Sequence, residues 1–198
     1  MKKKLTFDSN DRGSVALIRD ALSEIISEEI KKDKPIIFLC IGTDRSTGDS
    51  LGPLIGHKLK FLMRNNISIY GNLEHPIHAK NLEETINEIN ESFPNSFIIA
   101  IDACLGNLQN VGKIFINKSP LYPGAAMNKK LPPVGDISIT GVVNISGALE
   151  FMVLQNTRLY TVMQLADIIS KGIYHSILKS VGGKNSSQIK SSNLIENN

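Results

Sequence analysis

Apolar residues recur at helical spacing in several parts of the chain. Near its start, Ile18, Leu22, Ile25 and Ile26 follow one another at intervals of one, three or four positions, which places them on one face of an α-helix. The same spacing predicts helices over residues 14–31, 51–65, 81–91, 148–154 and 159–178. Each of these amphipathic helices requires a surface against which its apolar face can pack.

Short apolar runs lie between the predicted helices. Residues 36–41 are wholly apolar and rich in Ile, a composition typical of a parallel strand that is covered on both faces. Similar runs predict strands over residues 36–41, 67–70, 96–102, 113–117 and 137–143. Strands that alternate with helices predict an α/β fold: a three-layer sandwich with a mostly parallel sheet and helices on both faces.

Length and composition then suggest the domain organisation. The chain has 198 residues, of which 41% are hydrophobic and 21% charged, and these values are typical of one globular domain. We expect a single α/β domain over residues 1–179. Residues 180–198 are rich in Ser, Asn, Gly and Lys, so we expect a disordered tail there.

Charge, apolar run length and cysteine content limit the possible partners and the cellular compartment. The net charge of +3 is small, no basic stripe is visible and there is no Trp, so we expect no nucleic-acid partner. No apolar run approaches the roughly 18–20 residues of a membrane helix, and we expect no membrane partner. The two cysteines, Cys40 and Cys104, fit neither a disulfide framework nor a zinc site, which favours a reduced, cytoplasmic protein.

Polar segments follow two of the predicted strands. Asp49 lies in the loop after residues 36–41, and Asp102 ends the strand over residues 96–102. The carboxyl ends of parallel strands meet at one edge of a sheet, where α/β proteins bind their ligands. If these strands are neighbours, both carboxylates project into one cleft. Each residue also has a structural interpretation: Asp49 or Ser50 as a helix cap, and Asp102 as the start of a loop.

Two carboxylates in one cleft support two kinds of chemistry. If they share a proton, the pKa of one is raised, and the pair can activate water and protonate a leaving amine. The same oxygens can instead hold a metal ion. A phosphate-binding role is disfavoured, because the loop matches no glycine-rich phosphate motif and its acids Asp44 and Asp49 repel an anion.

Three stretches resemble the spore germination protease family and occur in the same order. Residues 42–53 read GTDRSTGDSLGP and resemble the family's G-N-x-x-x-T-P-D-A-L-G-P. Residues 99–103, IAIDA, match its second acid motif, and residues 123–130, PGAAMNKK, resemble P-G-S-G-V-G-N-K-R. The whole chain is still more similar to the short YyaC-type sporulation proteins, and is more distantly similar to the hydrogenase-maturation endopeptidases.

The resemblance implies a fold, an activity and a setting. It implies a phosphorylase/hydrolase-like fold, as in the hydrogenase-maturation endopeptidases, and an aspartic type of peptidase with Asp49 and Asp102 as the catalytic pair. It also implies a cytoplasmic protein in the mother cell or forespore of a spore-forming bacterium. Its substrate would be a peptide or protein of the spore, with the small acid-soluble spore proteins as the candidates.

The histidines bear on the choice between an acid pair and a metal site. The hydrogenase-maturation endopeptidases use two acids and a histidine that follows the second acid. This chain has no histidine between Ala103 and Glu150, so we expect no metal and no other cofactor. His75 and His78 are close enough in sequence to bind a metal, but we expect them to be solvated in a loop.

Further residues have candidate roles around the pair. Thr43, Asp44 and Arg45 are candidate substrate-binding residues, because loops at the strand edge carry specificity; the alternative for the last two is a solvated surface pair. In the loop over residues 118–133, Lys129 and Lys130 are expected either to attract an acidic segment of a substrate or to form a solvated tip.

Two functions remain open at this point. The leading hypothesis is a sporulation peptidase that acts through Asp49 and Asp102. The alternative is a catalytically inactive peptidase-like fold that binds a peptide or protein partner during sporulation. A cysteine peptidase is disfavoured, because the sequence places no histidine near Cys104.

Overall fold

The computed structural model describes residues 4–62, 66–123 and 132–182. Its six strands are β1 (Lys4–Asp8), β2 (Ile36–Cys40), β3 (Ile67–Tyr70), β4 (Phe97–Gly106), β5 (Lys113–Asn117) and β6 (Ile137–Ile145). Its five α-helices are α1 (Ser14–Ile30), α2 (Leu51–Leu59), α3 (Leu82–Ser92), α4 (Glu150–Gln155) and α5 (Leu159–Val181). Short 3-10 turns cover Gly48–Ser50 and Leu108–Asn110.

All six strands form one sheet. Their order across it is β1-β5-β6-β4-β2-β3. The neighbours β6, β4, β2 and β3 are parallel, whereas β5 is antiparallel to both β6 and β1. Five of the six described strands therefore run in the same direction, and the predicted mostly parallel sheet is confirmed.

Helices cover both faces of the sheet, which confirms the predicted three-layer α/β fold. Strand β2 shows the arrangement: Ile36, Phe38 and Cys40 point into a large core that includes residues of α1, α2 and α5. Ile37 and Leu39 point into a smaller core that includes residues of α3. Because both faces of β2 are buried, the strand has no polar position, as its sequence indicated.

Three predicted boundaries are wrong by three or more residues. Helix α2 ends at Leu59, before the predicted end at residue 65, and α5 extends to Val181, into the stretch predicted as a disordered tail. Strand β4 continues to Gly106 because it pairs with β6 along its whole second half. Asp102 therefore lies inside β4 and does not end the strand or begin a loop.

Strand β1 was not predicted. It pairs antiparallel with β5 at the edge of the sheet. Its alternating residues Leu5 and Phe7 pack against the large core, while Lys4, Thr6 and Asp8 are exposed. Two apolar positions in five residues are a weak signal, and the strand depends on its partner for hydrogen bonds.

Some predictions concern residues outside the described ranges. Lys129 and Lys130 lie in the segment 124–131, and most of the predicted tail lies in residues 183–198. The single domain with its boundary at residue 179 stays a prediction. None of the described helices combines the length and the apolar composition needed to cross a lipid bilayer.

Candidate active site

A cavity of about 510 Å³ opens at the carboxyl edge of β2 and β4. The loop after β2 contributes Thr43, Arg45, Ser46 and Asp49 to its walls, and β4 contributes Asp102. The residues of the two acid motifs, which are 53 positions apart at Asp49 and Asp102, therefore meet in one cleft. This is the edge of the sheet where open α/β folds bind their ligands.

The loop that carries Asp49 is held at both ends. The Gly42 N–H donates to the Ile77 carbonyl at 2.7 Å, and the Thr43 N–H donates to the Asp49 carbonyl at 3.0 Å. Gly42 has φ 143°, and a Cβ at this position would overlap the Asp49 carbonyl oxygen, so the closed loop requires glycine. The backbone of Asp49 is thereby fixed against the end of β2.

Helix α4 packs on the turn Gly48–Ser50. A Cβ at Gly48 would lie 2.7 Å from Cδ2 of Leu154, so the helix and the turn are in close contact. Helix α4 is preceded by Leu149, whose φ of 58° is in the left-handed region. The side chain of Phe151, one turn before Leu154, lines the cavity.

Asp102 reaches the cavity because β4 is longer than β2. The ladder between these strands ends at the pair Cys40 and Ile101, so Asp102 is the first residue of β4 beyond the end of β2. On the other side Asp102 pairs with Thr140 of β6, which keeps its backbone in the sheet. Its Oδ1 accepts the Ala103 N–H at 2.7 Å.

Burial has the largest effect on the pKa of Asp102. It raises the pKa of Asp102 to about 8, the hydrogen bond from the Ala103 N–H opposes the rise, and the negative charge of Asp49 adds to it. An ordinary Asp has a pKa near 4. At neutral pH Asp102 is therefore largely protonated, and because Oδ1 is an acceptor, Oδ2 is left to carry the proton.

The pKa of Asp49 is also raised above its ordinary value. Burial raises the pKa of Asp49, and the nearby Ser46 hydroxyl lowers it. The two carboxyl groups are close enough for the charge of Asp49 to raise the pKa of Asp102. Burial and the proximity of the two groups therefore both favour the protonated form of Asp102.

The predicted substrate-binding residues are not all at the cavity. Thr43 and Arg45 line it, whereas the exposed Asp44 does not. Their substrate-binding role stays a prediction. The capping interpretation is not supported: Ser50 is the N-cap residue of α2 but no side-chain hydrogen bond caps the helix, and the Ser50 hydroxyl donates to the Thr47 carbonyl at 2.7 Å.

Several cavity residues were not predicted. His78 and Lys80, from the segment after β3, line the cavity together with Phe151 and Gln155 of α4. His75 is exposed, as expected, whereas His78 is half-buried in its loop and lines the cavity. Its position depends on the packing of a loop, for which the sequence contains no clear signal.

The described residues also bear on two other chemistries, metal binding and attack by a thiol. In residues 4–62, 66–123 and 132–182, no group of three or more His, Cys, Asp and Glu residues could hold a metal ion, although His78 lines the same cavity as the carboxyl pair. Burial raises the pKa of Cys104 to about 11, so its thiol stays neutral at pH 7 and is a poor nucleophile.

The third stretch that carries the resemblance also reaches the cavity. Its first residue, Pro123, lines the wall, and residues 124–130 lie outside the described ranges. All three stretches, which are spread over residues 42–130 of the sequence, therefore contribute to one site.

The fold and the cavity define an α/β protein with a carboxyl pair at the carboxyl edge of its sheet. The chain belongs to the family described as "Protein of unknown function (DUF1256)", whose model matches residues 9–172. It is 49% identical over 154 residues to the "Uncharacterized protein YyaC" of Bacillus subtilis (strain 168), which covers 77% of this chain and 75% of that protein.

A solved structure is also similar to this chain. The [NiFe] hydrogenase maturation protease HycI from Thermococcus kodakarensis KOD1 matches 74% of this chain and 93% of its own. The TM-score is 0.49 and the sequence identity 17%.

Proposed function

We propose that this protein is a peptidase that cleaves a spore or sporulation protein through Asp49 and Asp102. The observation that carries the proposal is the cavity that both residues line, where burial raises the pKa of each carboxyl group. A pair that keeps one proton near neutral pH provides both a base and an acid for amide hydrolysis.

The roles of the two groups follow from their pKa shifts. Asp102 has the larger shift and starts as the acid, while Asp49 starts as the base. Asp49 takes a proton from water, whose oxygen attacks the peptide carbonyl carbon, and Asp102 donates its proton to the carbonyl oxygen. As the C–N bond breaks, that oxygen returns its proton to Asp102 and Asp49 protonates the leaving nitrogen.

An apolar rim beside the cavity supports a polypeptide as the substrate. The rim consists of Leu149, Phe151 and Met152, whose exposed fractions are 72%, 50% and 53%. Large apolar side chains clustered on a surface are typical of sites that bind other proteins. Phe151 belongs to both the rim and the cavity, so a bound peptide can contact the rim and the carboxyl pair together.

Replacing Phe151 by Ser is expected to raise KM for a protein substrate about 10-fold and to leave kcat nearly unchanged, since loss of a buried aromatic contact weakens binding in the ground state and transition state alike. Phe61→Ser is the matched control, because Phe61 is 67% exposed, follows the end of α2 at Leu59 and does not line the cavity. An equal KM for both variants would show that the rim does not contact the substrate.

The motif resemblance supports a particular substrate and cell type for the proposed reaction. The germination protease family supplies the patterns that match residues 42–53 and 99–103, and this supports small acid-soluble spore proteins as substrates. Their cleavage in the mother cell or forespore belongs to the same proposal.

The direct test incubates the purified protein with small acid-soluble spore proteins and detects fragments by mass spectrometry. The wild type is expected to generate defined fragments, and Asp49→Asn to lower the rate by about 100-fold or more, because it removes the base. Asp33→Asn is the control, since Asp33 is exposed in the turn before β2, at the opposite edge of the sheet. Addition of EDTA is expected to leave the rate unchanged.

One outcome would contradict the proposal. Binding of these proteins by both wild type and Asp49→Asn, with no fragment from either between pH 4 and pH 9, would identify a peptide-binding protein that does not cleave its partner. A binding assay by light scattering or calorimetry, run beside the cleavage assay, separates the two results.

A further inference from the structure

Ser46 stands out among the residues of the cavity. Its side chain lines the cavity, yet the residue is only 5% exposed. Its Oγ has no partner that meets hydrogen-bond criteria among the described residues. Buried hydroxyl groups are nearly always paired, because an unpaired one loses its hydrogen bonds to water without replacement. The Ser46 hydroxyl is therefore available to donate to a group that lines the same cavity.

A suitable acceptor that lines the same cavity is the carboxyl group of Asp49. Ser46 precedes Asp49 by three residues in the loop closed by the Thr43 and Asp49 hydrogen bond, and its hydroxyl is close enough to lower the pKa of Asp49. The other titratable or charged residues of the cavity are Arg45, His78, Lys80 and Asp102.

Asp102 has a different environment. Its Oδ1 accepts the N–H of the adjacent Ala103 at 2.7 Å, and burial outweighs this bond in setting its ionisation. A hydroxyl donor stabilises an ionised carboxylate, whereas burial stabilises a neutral carboxylic acid. Burial therefore favours the neutral acid at both members of the pair, most strongly at Asp102, and the Ser46 hydroxyl opposes it at Asp49.

We propose that Ser46 is a positioning residue whose hydroxyl donates a hydrogen bond to the Asp49 carboxylate, so that Asp49 is the ionised member of the pair and Asp102 the protonated one. This inference deepens the proposed peptidase function and rests on it for the roles of base and acid. It adds that the placement of the single proton depends on a residue outside the pair.

The test follows each carboxyl group directly. Wild type, Ser46→Ala and Ser46→Thr are labelled with ¹³C at the Asp carboxyl carbons and titrated by NMR, with the two signals assigned from Asp49→Asn and Asp102→Asn. Ser46→Ala is expected to raise the pKa of Asp49 by about one unit, the loss of one hydrogen bond to a charged group. Ser46→Thr retains a hydroxyl and is expected to stay close to wild type.

Ser50→Ala is the matched control for the test. Ser50 lies in the same loop, is 6% exposed and donates to the Thr47 carbonyl, so its replacement removes a buried hydroxyl that does not face a carboxylate. If Ser46→Ala and Ser50→Ala leave the pKa of Asp49 equally unchanged, Ser46 has only a structural role and the inference is overturned.

The pH profile of cleavage separates this inference from the proposed function. Ser46→Ala is expected to move the acidic limb of the kcat/KM profile upward by about one pH unit. If the wild type cleaves the substrate and the acidic limb of the kcat/KM profile is the same in Ser46→Ala, the role of Ser46 is overturned and the peptidase function is not. If Ser46→Ala shifts the Asp49 signal but the wild type cleaves no substrate, the hydrogen bond from Ser46 to Asp49 is supported. The assignment of Asp49 as base and Asp102 as acid is then overturned.

Discussion

Asp102→Asn is expected to lower kcat/KM for peptide cleavage by about 1,000-fold, because Asn cannot donate the acidic proton and general acid–base catalysis contributes roughly 100- to 10,000-fold. The amide oxygen of Asn can still accept the Ala103 N–H, so the local fold is retained. The measurement compares steady-state rates on one protein substrate for wild type, Asp102→Asn and Asp33→Asn. A rate for Asp102→Asn equal to that of Asp33→Asn would exclude Asp102 from the chemistry.

The same variant has a second readout that requires no substrate. The pKa of Asp102 is about 8 in the folded protein and near 4 in an unfolded chain, so between these values the folded state binds a proton that the unfolded state has lost. This contribution to stability is complete below about pH 4 and is lost as the pH rises to 8. Urea midpoints of wild type are therefore expected to fall over this window relative to Asp102→Asn.

Gly52→Ala is expected to destabilise the folded protein strongly. Gly52 lies in the first turn of α2, where a Cβ would overlap the carbonyl oxygen of Ile41. The neighbour is backbone at the end of β2 and cannot rotate away, so the helix would have to move outward. Overpacking of this kind costs about 3 kcal/mol, and the shift would carry Asp49 away from Asp102.

Gly147→Ala is the control for that prediction. A Cβ at Gly147 has no atom within 4 Å, so the substitution is expected to leave the free energy of unfolding within about 0.5 kcal/mol of wild type. Chemical denaturation followed by circular dichroism gives both values. Equal stability of Gly52→Ala and Gly147→Ala would show that α2 does not pack this closely on β2.

Elements with a local signal were predicted well. Helix α1 and strand β2 lie within one residue of their predicted ends, because an amphipathic period and a wholly apolar run are properties of the segments themselves. The second half of β4 and the whole of β1 were missed, because their extended structure depends on pairing with β6 and β5. Such pairing depends on residues distant in the chain and leaves little trace in either segment.

Some residues of the candidate site were likewise predictable from the sequence and others were not. The meeting of Asp49 and Asp102 was predictable from parallel neighbouring strands, whose carboxyl ends share an edge. His78 and Phe151 reach the cavity through the packing of a loop and of α4, which no periodicity encodes. Ser46 was missed because a serine in a polar loop is ordinarily exposed, and only the folded chain reveals that its hydroxyl is buried.

Helix α4 serves two purposes at once. It presents Phe151 to the cavity and rests, through Leu154, on Gly48 in the turn that holds Asp49. In the proposed peptidase, substrate recognition at α4 and the reaction at Asp49 are therefore mechanically linked. A lineage that acquired a new target by reshaping α4 would also disturb the turn beneath it, so such changes should evolve as paired substitutions at Leu154 and Gly48.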